Sequence, residues 1–194
     1  QSGSQTPIDI GSRLELMVDD YLIARMSGGA EVRLNKPVPQ EVVLVTDKPW
    51  EGNACGHFTI FQDGDIYRMY YRGSHAVYTQ GKVNSPHRQV ACYAESKDGI
   101  HWTKPNLGLY EFEGSKENNI VFEELEGIRG TPSYWVYKDY AEVDPGKRYK
   151  MMFQSWGFQG RASKMAWSPD GVHWTMSEYG NLPGPFDSQN TFFW

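Results

Sequence analysis

From residue 53 onward the apolar positions come in short runs, each broken within a few residues by turn formers. "HFTIF" (57–61) gives way to "QDGD" and then to "IYRMYYRG" (66–73). Asp63-Gly64 supplies the positive φ that a tight hairpin turn needs, so the two runs read as paired strands. "QVACYAES" (89–96) then passes through Lys97-Asp98-Gly99 into "IHWTKP" (100–105), a second hairpin. Together these runs predict one four-stranded antiparallel unit. Upstream, "LELMVDDYLIARM" (14–26) is the one stretch that a helix would suit. We read it as a strand, "LELMV", a turn at Asp19 and Asp20, and a second strand.

The same pattern is written twice. "SKDGIHW" (96–102) returns as "SPDGVHW" (168–174), 72 residues later, with Ser, Asp, Gly, His and Trp in place. The earlier strands return in order: "SYWVYKD" (133–139) matches "HFTIFQD", and "YKMMF" (149–153) matches "YRMYY", at offsets of 76 and 82. The offsets differ because each copy carries its own loop insertions. Six residues are added in "YAEVDPGKR" (140–148) of the second copy, and ten in "SHAVYTQGKVNSPHR" (74–88) of the first. "DSQNTFFW" (187–194) looks like the start of a third copy. Repeats of about 50–70 residues, each a four-stranded sheet, are the signature of propeller blades. The expected fold is therefore all-β: N-terminal strands over 13–52, blade one over 53–122, blade two over 128–180, and the start of a third blade over 186–194. All belong to one propeller domain. Two blades and a fragment cannot close a ring, so the remainder of the propeller or another chain is expected to pack against the incomplete blade.

Within the heptads, Asp-Gly makes the turn, and Ser and Asp can hydrogen-bond across it. Trp102 and Trp174 are expected at equivalent sites between sheets. The heptads thus speak for architecture rather than chemistry.

Composition narrows the function. The 194 residues include 12 Tyr, 9 Phe and 7 Trp, with 20 Gly and 11 Pro, which suits short strands and tight turns. The net charge of −5 and the lack of a basic stripe argue against a nucleic-acid partner. No apolar run reaches the roughly 18 residues of a membrane span. The polar opening "QSGSQTP" is what removal of a secretory signal would leave, and equally what a chosen boundary would leave. Cys55 and Cys92 either pair in an oxidising compartment or remain buried thiols. His75, His87 and His101 have no metal-ligand spacing, and no transition metal is expected.

The repeated Ser-x-Asp-Gly-x-x-Trp turn, with its "DGxxYRMYYRG" type of second strand, resembles the five-bladed propeller glycoside hydrolases of families 32, 43 and 68. "LMVDDYLIARM", "KPWEG", "YAESKDGIHWTKPNLGLYEFEGSKENNIV" and "FDSQN" are most similar to a secreted bacterial family-32-like branch. The resemblance runs over residues 14–194. It implies a glycosidase acting on a poly- or oligosaccharide, in a secreted or periplasmic protein, with a calcium on the propeller axis as an option. It also implies an active site on the axis, where the innermost strands begin, with carboxylates from different blades flanking the scissile bond. A carbohydrate-binding propeller without catalysis is the alternative.

That geometry directs attention to the residues leading into each first strand. In "PWEGNACGH" (49–57), Glu51 is the one carboxylate, a catalytic candidate or a loop acid. Trp50 could stack on a sugar ring or belong to the core, and His57 could hold a hydroxyl or be structural. Family 43 enzymes carry an Asp where this chain has Cys55, Gly56 and His57. In "GIRGTPS" (127–133) there is no carboxylate, and Arg129 suits an anionic sugar, an acid partner or a surface ion pair. In "PFDSQN" (185–190), Asp187 is the second catalytic candidate. Gln189 and Asn190 are candidate hydroxyl ligands, unless the group is simply a turn. With at most two placed carboxylates and an unfinished blade, these 194 residues alone are expected to be inactive or nearly so.

Overall fold

The structure, a computed structural model, describes residues 6–16, 18–123, 134–157, 160–178, 182 and 189–191; over 155–157 and 160–162 it describes the backbone alone. It divides into two compact units, 1–41 and 42–194. The first contains turns and extended chain but no strand among its described residues. Among the described residues of 14–26, neither of the two expected strands is present. Leu14, Leu16, Val18 and Tyr21 lie exposed, and an isolated extended segment has no ladder and no apolar face to hold it as a strand.

The second unit is all-β. Its first sheet contains β1 (Gly56–Asp63), β2 (Ile66–Gly73), β5 (Val90–Ser96) and β6 (Trp102–Thr103), hydrogen-bonded in that order. A further strand, β7 (Ile120–Glu123), pairs with the N-terminal half of β5, while β6 takes its C-terminal end. The ten-residue insertion carries its own small hairpin, β3 (Val77–Thr79) with β4 (Lys82–Asn84). The second sheet runs β8 (Trp135–Lys138), β9 (Tyr149–Gly157), β10 (Gly160–Ser168) and β11 (Thr175–Met176). The six-residue insertion of the second copy contains a single 3-10 turn, Pro145–Lys147, before β9.

The pairings of the two sheets coincide. Phe61 lies opposite Arg68, and at the offsets of the repeat Tyr137 lies opposite Lys150. Tyr70 faces Tyr93, and Met152 faces Met165. Glu95 faces Thr103, and Trp167 faces Thr175. Register fixes which face of a strand each side chain occupies, so equal registers give equal faces. In the first sheet Met69, Tyr71, Ala94 and Trp102 share one face. Their counterparts in the second sheet, Met151, Phe153, Ala166 and Trp174, also share a face. That face of the second sheet packs against the opposite face of the first, formed by Tyr70, Ala91, Tyr93 and Phe122.

The heptad turns explain why the repeat is spelled as it is. Ser96 Oγ accepts from the amide of Gly99 at 2.9 Å, and Asp98 Oδ1 accepts from the amides of Ile100 and His101 at 2.9 and 2.8 Å. Ser168 and Asp170 repeat the set with Gly171, Val172 and His173 at 2.8 Å in each case. Asp98 Oδ2 and Asp170 Oδ2 each meet the Nδ1 of the turn histidine at 2.7 Å. These bonds hold both aspartates well below the usual carboxylate range, against the opposing effect of burial, which is the largest single influence at Asp170. Trp174 sits between the sheets, edge-on to Tyr70 at 6.4 Å. Trp102 occupies the equivalent face of the first sheet, where residues such as Leu44 and Trp50 pack, rather than lying between two sheets. Both Trp residues are partly buried.

Polar clasps join the sheets. Tyr70 donates its hydroxyl to the carbonyl of Gly171, in the heptad of the other sheet, at 3.0 Å. Asp63, at the end of β1, accepts from Arg68 Nε at 2.5 Å and Tyr149 Oη at 2.6 Å, and pairs with Lys138. In the second sheet Asp139 and Lys150, the repeat counterparts of Asp63 and Arg68, pair at 2.6 Å.

Candidate functional site

Residues 48–54 turn tightly over the end of β2. Ser74 donates to Glu51 O at 2.8 Å, and Ala54 donates to Ser74 O at 2.9 Å. Gly52, at φ +68°, permits this approach, since a Cβ there would stand 2.4 Å from Ser74 O. The turn drives the Glu51 side chain inward, where it is fully buried. Its carboxylate accepts from Tyr71 Oη at 2.5 Å and from the Lys48 amide at 2.9 Å. Lys104 Nζ, reaching in from beyond β6, spans both oxygens at 2.7 and 2.8 Å. Lys104 also reaches Asp47 Oδ1 at 3.1 Å and Val45 O at 2.6 Å.

The network continues inward. Tyr71 Oη accepts from Asn119 Nδ2 at 3.0 Å, and Asn119 Oδ1 accepts from Trp50 Nε1 at 2.7 Å. Burial pushes the Tyr71 hydroxyl far up, with the neighbouring Cys92 and Glu51 adding to it. Cys55 and Cys92 are both free thiols beside this group, and burial raises both. The structure thus gives Glu51 the place of an anchor that fixes residues 48–51 to the first sheet. Trp50 is committed likewise, with its indole N–H bonded to Asn119 and its ring edge-on to Phe112 at 6.2 Å.

His57 lies elsewhere. It is the second residue of β1, within a β-bulge where the register with β2 slips by one residue between Gly56 and Thr59. Its φ is +56°, a conformation that costs a non-glycine residue about 1–2 kcal/mol. The side chain is half-buried, and Nδ1 is buried with no hydrogen-bond partner. Burial, and then the charge of Arg72, holds the imidazole below its ordinary 6.5.

Arg72 comes from β2, opposite Gly56. Its Nη2 donates to Ala54 O at 3.3 Å, while its Nε is buried without a partner. Burial lowers its affinity for the proton. Among the described residues no carboxylate pairs with it.

Gln189 and the residue before β8 reach β1 at Thr59. Thr59 Oγ1 donates to Tyr134 O, just before β8, at 3.4 Å. Gln189 Nε2 donates to the same carbonyl at 2.9 Å and to Thr59 Oγ1 at 3.3 Å. Asn190 follows on the same segment. Arg129 and Asp187 lie outside the described residues. Of the expected group, then, His57 lies near Arg72, which was not among the expected residues, Gln189 meets Thr59 of β1 and Tyr134 beside β8, and Glu51 and Trp50 are taken up in the buried network.

One groove, of about 310 Å3, lies at the opposite end of the first sheet, lined by Ile66, Glu95, Asp98, His101 and Thr103. Among the described residues no three His, Cys, Asp or Glu gather closely enough to hold a metal ion.

No family model matches the chain. It is similar to an uncharacterised protein of Mycobacterium tuberculosis (strain ATCC 25618 / H37Rv), 31% identical over 115 residues, 59% of this chain and 31% of that protein. It is also similar to a second uncharacterised protein of that species (strain CDC 1551 / Oshkosh), 41% identical over 56 residues, 29% of this chain and 18% of the relative. The match spans less than a third of either relative. Among solved structures it is similar to a glycosyl hydrolase from Bacteroides ovatus, with a TM-score of 0.41 and 20% identity over 66% of this chain and 32% of that one.

Proposed function

We propose that the chain forms two blades of a β-propeller whose axial end, where the first strand of each blade begins, recognises a carbohydrate. The carrying observation is that Gln189 meets Thr59 of β1 and the Tyr134 carbonyl beside β8, with Arg72 of β2 near both Tyr134 and His57. Equal registers and equal packing faces in the two sheets support the reading as blades. A difference between equivalent positions supports it as well. Tyr134 and Val136 are 0% and 1% exposed, because the first sheet covers them. Their counterparts Phe58 and Ile60 are 44% and 53% exposed. In a propeller, that face of the first blade receives another sheet of the same kind.

Hydrolysis of a glycosidic bond is the activity we propose for the complete propeller, in a secreted or periplasmic setting. It needs two carboxylates on either side of the bond. Asp187, two residues before Gln189, is the candidate this chain supplies; Glu51 is spent on Lys104 and Tyr71. That commitment favours, as a second reading, recognition without hydrolysis. A screen of glycan libraries with the complete propeller, for both binding and release of reducing sugar, separates the two. Binding with turnover that Asp187→Asn abolishes supports the hydrolase. Binding with no turnover supports the recognition module, and neither binding nor turnover overturns the carbohydrate reading.

A further inference from the structure

The geometry points to a binding subsite at His57 and Arg72 for a single oxyanion, carboxylate or phosphate, borne by a sugar. The inference rests on the reading of the strand leads as the glycan-facing end.

A half-buried guanidinium is ordinarily matched by a carboxylate, because taking a charge out of water is costly unless it is paired. Arg68 and Lys138 both follow that rule through Asp63. Lys104 follows it through Glu51, and Lys150 through Asp139 and Glu142. Arg72 departs from it. Among the described residues its one hydrogen bond is to a neutral carbonyl, at a long 3.3 Å, and its Nε–H is buried and unused. A carboxylate or phosphate matches what a guanidinium lacks here: negative charge and acceptor atoms set for its fork of donors.

His57 adds a second unused group beside it. Nδ1 has no partner, and neutral imidazole carries its proton on either nitrogen, so it can present a donor to the same anion. The backbone at this residue is strained and bulged. Bulges re-aim a side chain next to functional sites, and strain there persists when the surroundings impose it. Nothing in the fold of β1 requires histidine at φ +56°, whereas glycine or asparagine would adopt it freely. Tyr134 lies near Arg72 and its carbonyl accepts from Gln189, so a sugar bearing the anion would be held beside these residues.

The test is a 1H–15N NMR titration of the 194-residue chain with glucuronate, glucose 6-phosphate, methyl glucoside and inorganic phosphate. Saturable shifts at residues 54–58 and 72–74 with glucuronate or glucose 6-phosphate, at least about tenfold tighter than with methyl glucoside, are expected, and the better of the two identifies the oxyanion. Arg72→Gln is expected to remove that roughly tenfold preference. Should that variant fail to fold, His57→Gly serves, with an unchanged or raised Tm and weakened anion binding. Equal affinity for methyl glucoside and the charged sugars at this place overturns the subsite and leaves the carbohydrate reading standing. Inorganic phosphate binding here while every sugar fails keeps an anion site but overturns the carbohydrate reading. No shift with any of the four overturns the subsite.

Discussion

Replacing Lys104 with Met leaves the Glu51 carboxylate fully buried and without its cation. The Lys104 side chain is 14% exposed and that of Glu51 0%. Removing one partner of a buried ion pair costs about 3–5 kcal/mol, because the charge left behind has neither water nor a counter-ion. The slight exposure of Lys104 and the two bonds Glu51 keeps, from Tyr71 and the Lys48 amide, place the expectation at the low end, about 3 kcal/mol. Glu51→Gln keeps the shape and can still accept from Tyr71, while Lys104 retains Asp47 and Val45 O; its cost is smaller, about 1.5 kcal/mol. The double variant, Lys104→Met with Glu51→Gln, leaves no buried charge unpaired, so the two losses do not add. Urea unfolding followed by Trp fluorescence and by far-UV circular dichroism gives all four stabilities and the coupling between the sites. A Lys104→Met cost below about 1 kcal/mol, or a double variant whose loss is the sum of the singles, refutes the anchor assigned to Glu51.

Three further outcomes follow from the same geometry. Val136→Lys, on the covered face, is expected to cost at least about 3 kcal/mol, whereas Ile60→Lys at the equivalent exposed position changes stability by no more than about 0.5 kcal/mol; thermal denaturation compares them. Gly171→Ala is expected to destabilise more than Gly99→Ala: both sit at positive φ, but a Cβ at 171 would stand 2.6 Å from the Tyr70 hydroxyl, while at 99 its nearest neighbour is Tyr67 at 3.8 Å. Asp63 is held below its ordinary 3.8, as bonds from Lys138, Tyr149 and Arg68 outweigh the largest influence, burial, which acts upward. A depressed carboxylate contributes stability above its unfolded value and loses it as pH falls through the folded one, so stability should decline below about pH 4. Urea midpoints followed from about pH 6 down to about pH 2 are expected to show a shallower decline for Asp63→Asn than for the parent.

The fold was legible where the physics is local. Asp-Gly turns and flanking Ser residues act within a few positions, so the heptads and their strands could be read directly. β7 was not anticipated, since its pairing with β5 depends on a loop that brings Ile120 back to Cys92. The site was legible only in part. His57 stands out by its place before a strand. Glu51 looked like an available acid because Lys104 is 53 residues away in sequence. Arg72 is one of several alternating polar residues in "IYRMYYRG", and nothing in that string tells it from Arg68. What separates them is partnership: Arg68 has Asp63, and Arg72 has no acid among the described residues.

The most direct measurement of the central claim is amide hydrogen exchange, read by mass spectrometry, with and without the tightest glycan from the library screen. Added protection is predicted over 53–58, 72–74 and 134–136, around His57, Arg72 and Tyr134, with unchanged exchange in the heptads at 96–102 and 168–174. Protection at the heptads, with none at the leads, would contradict it.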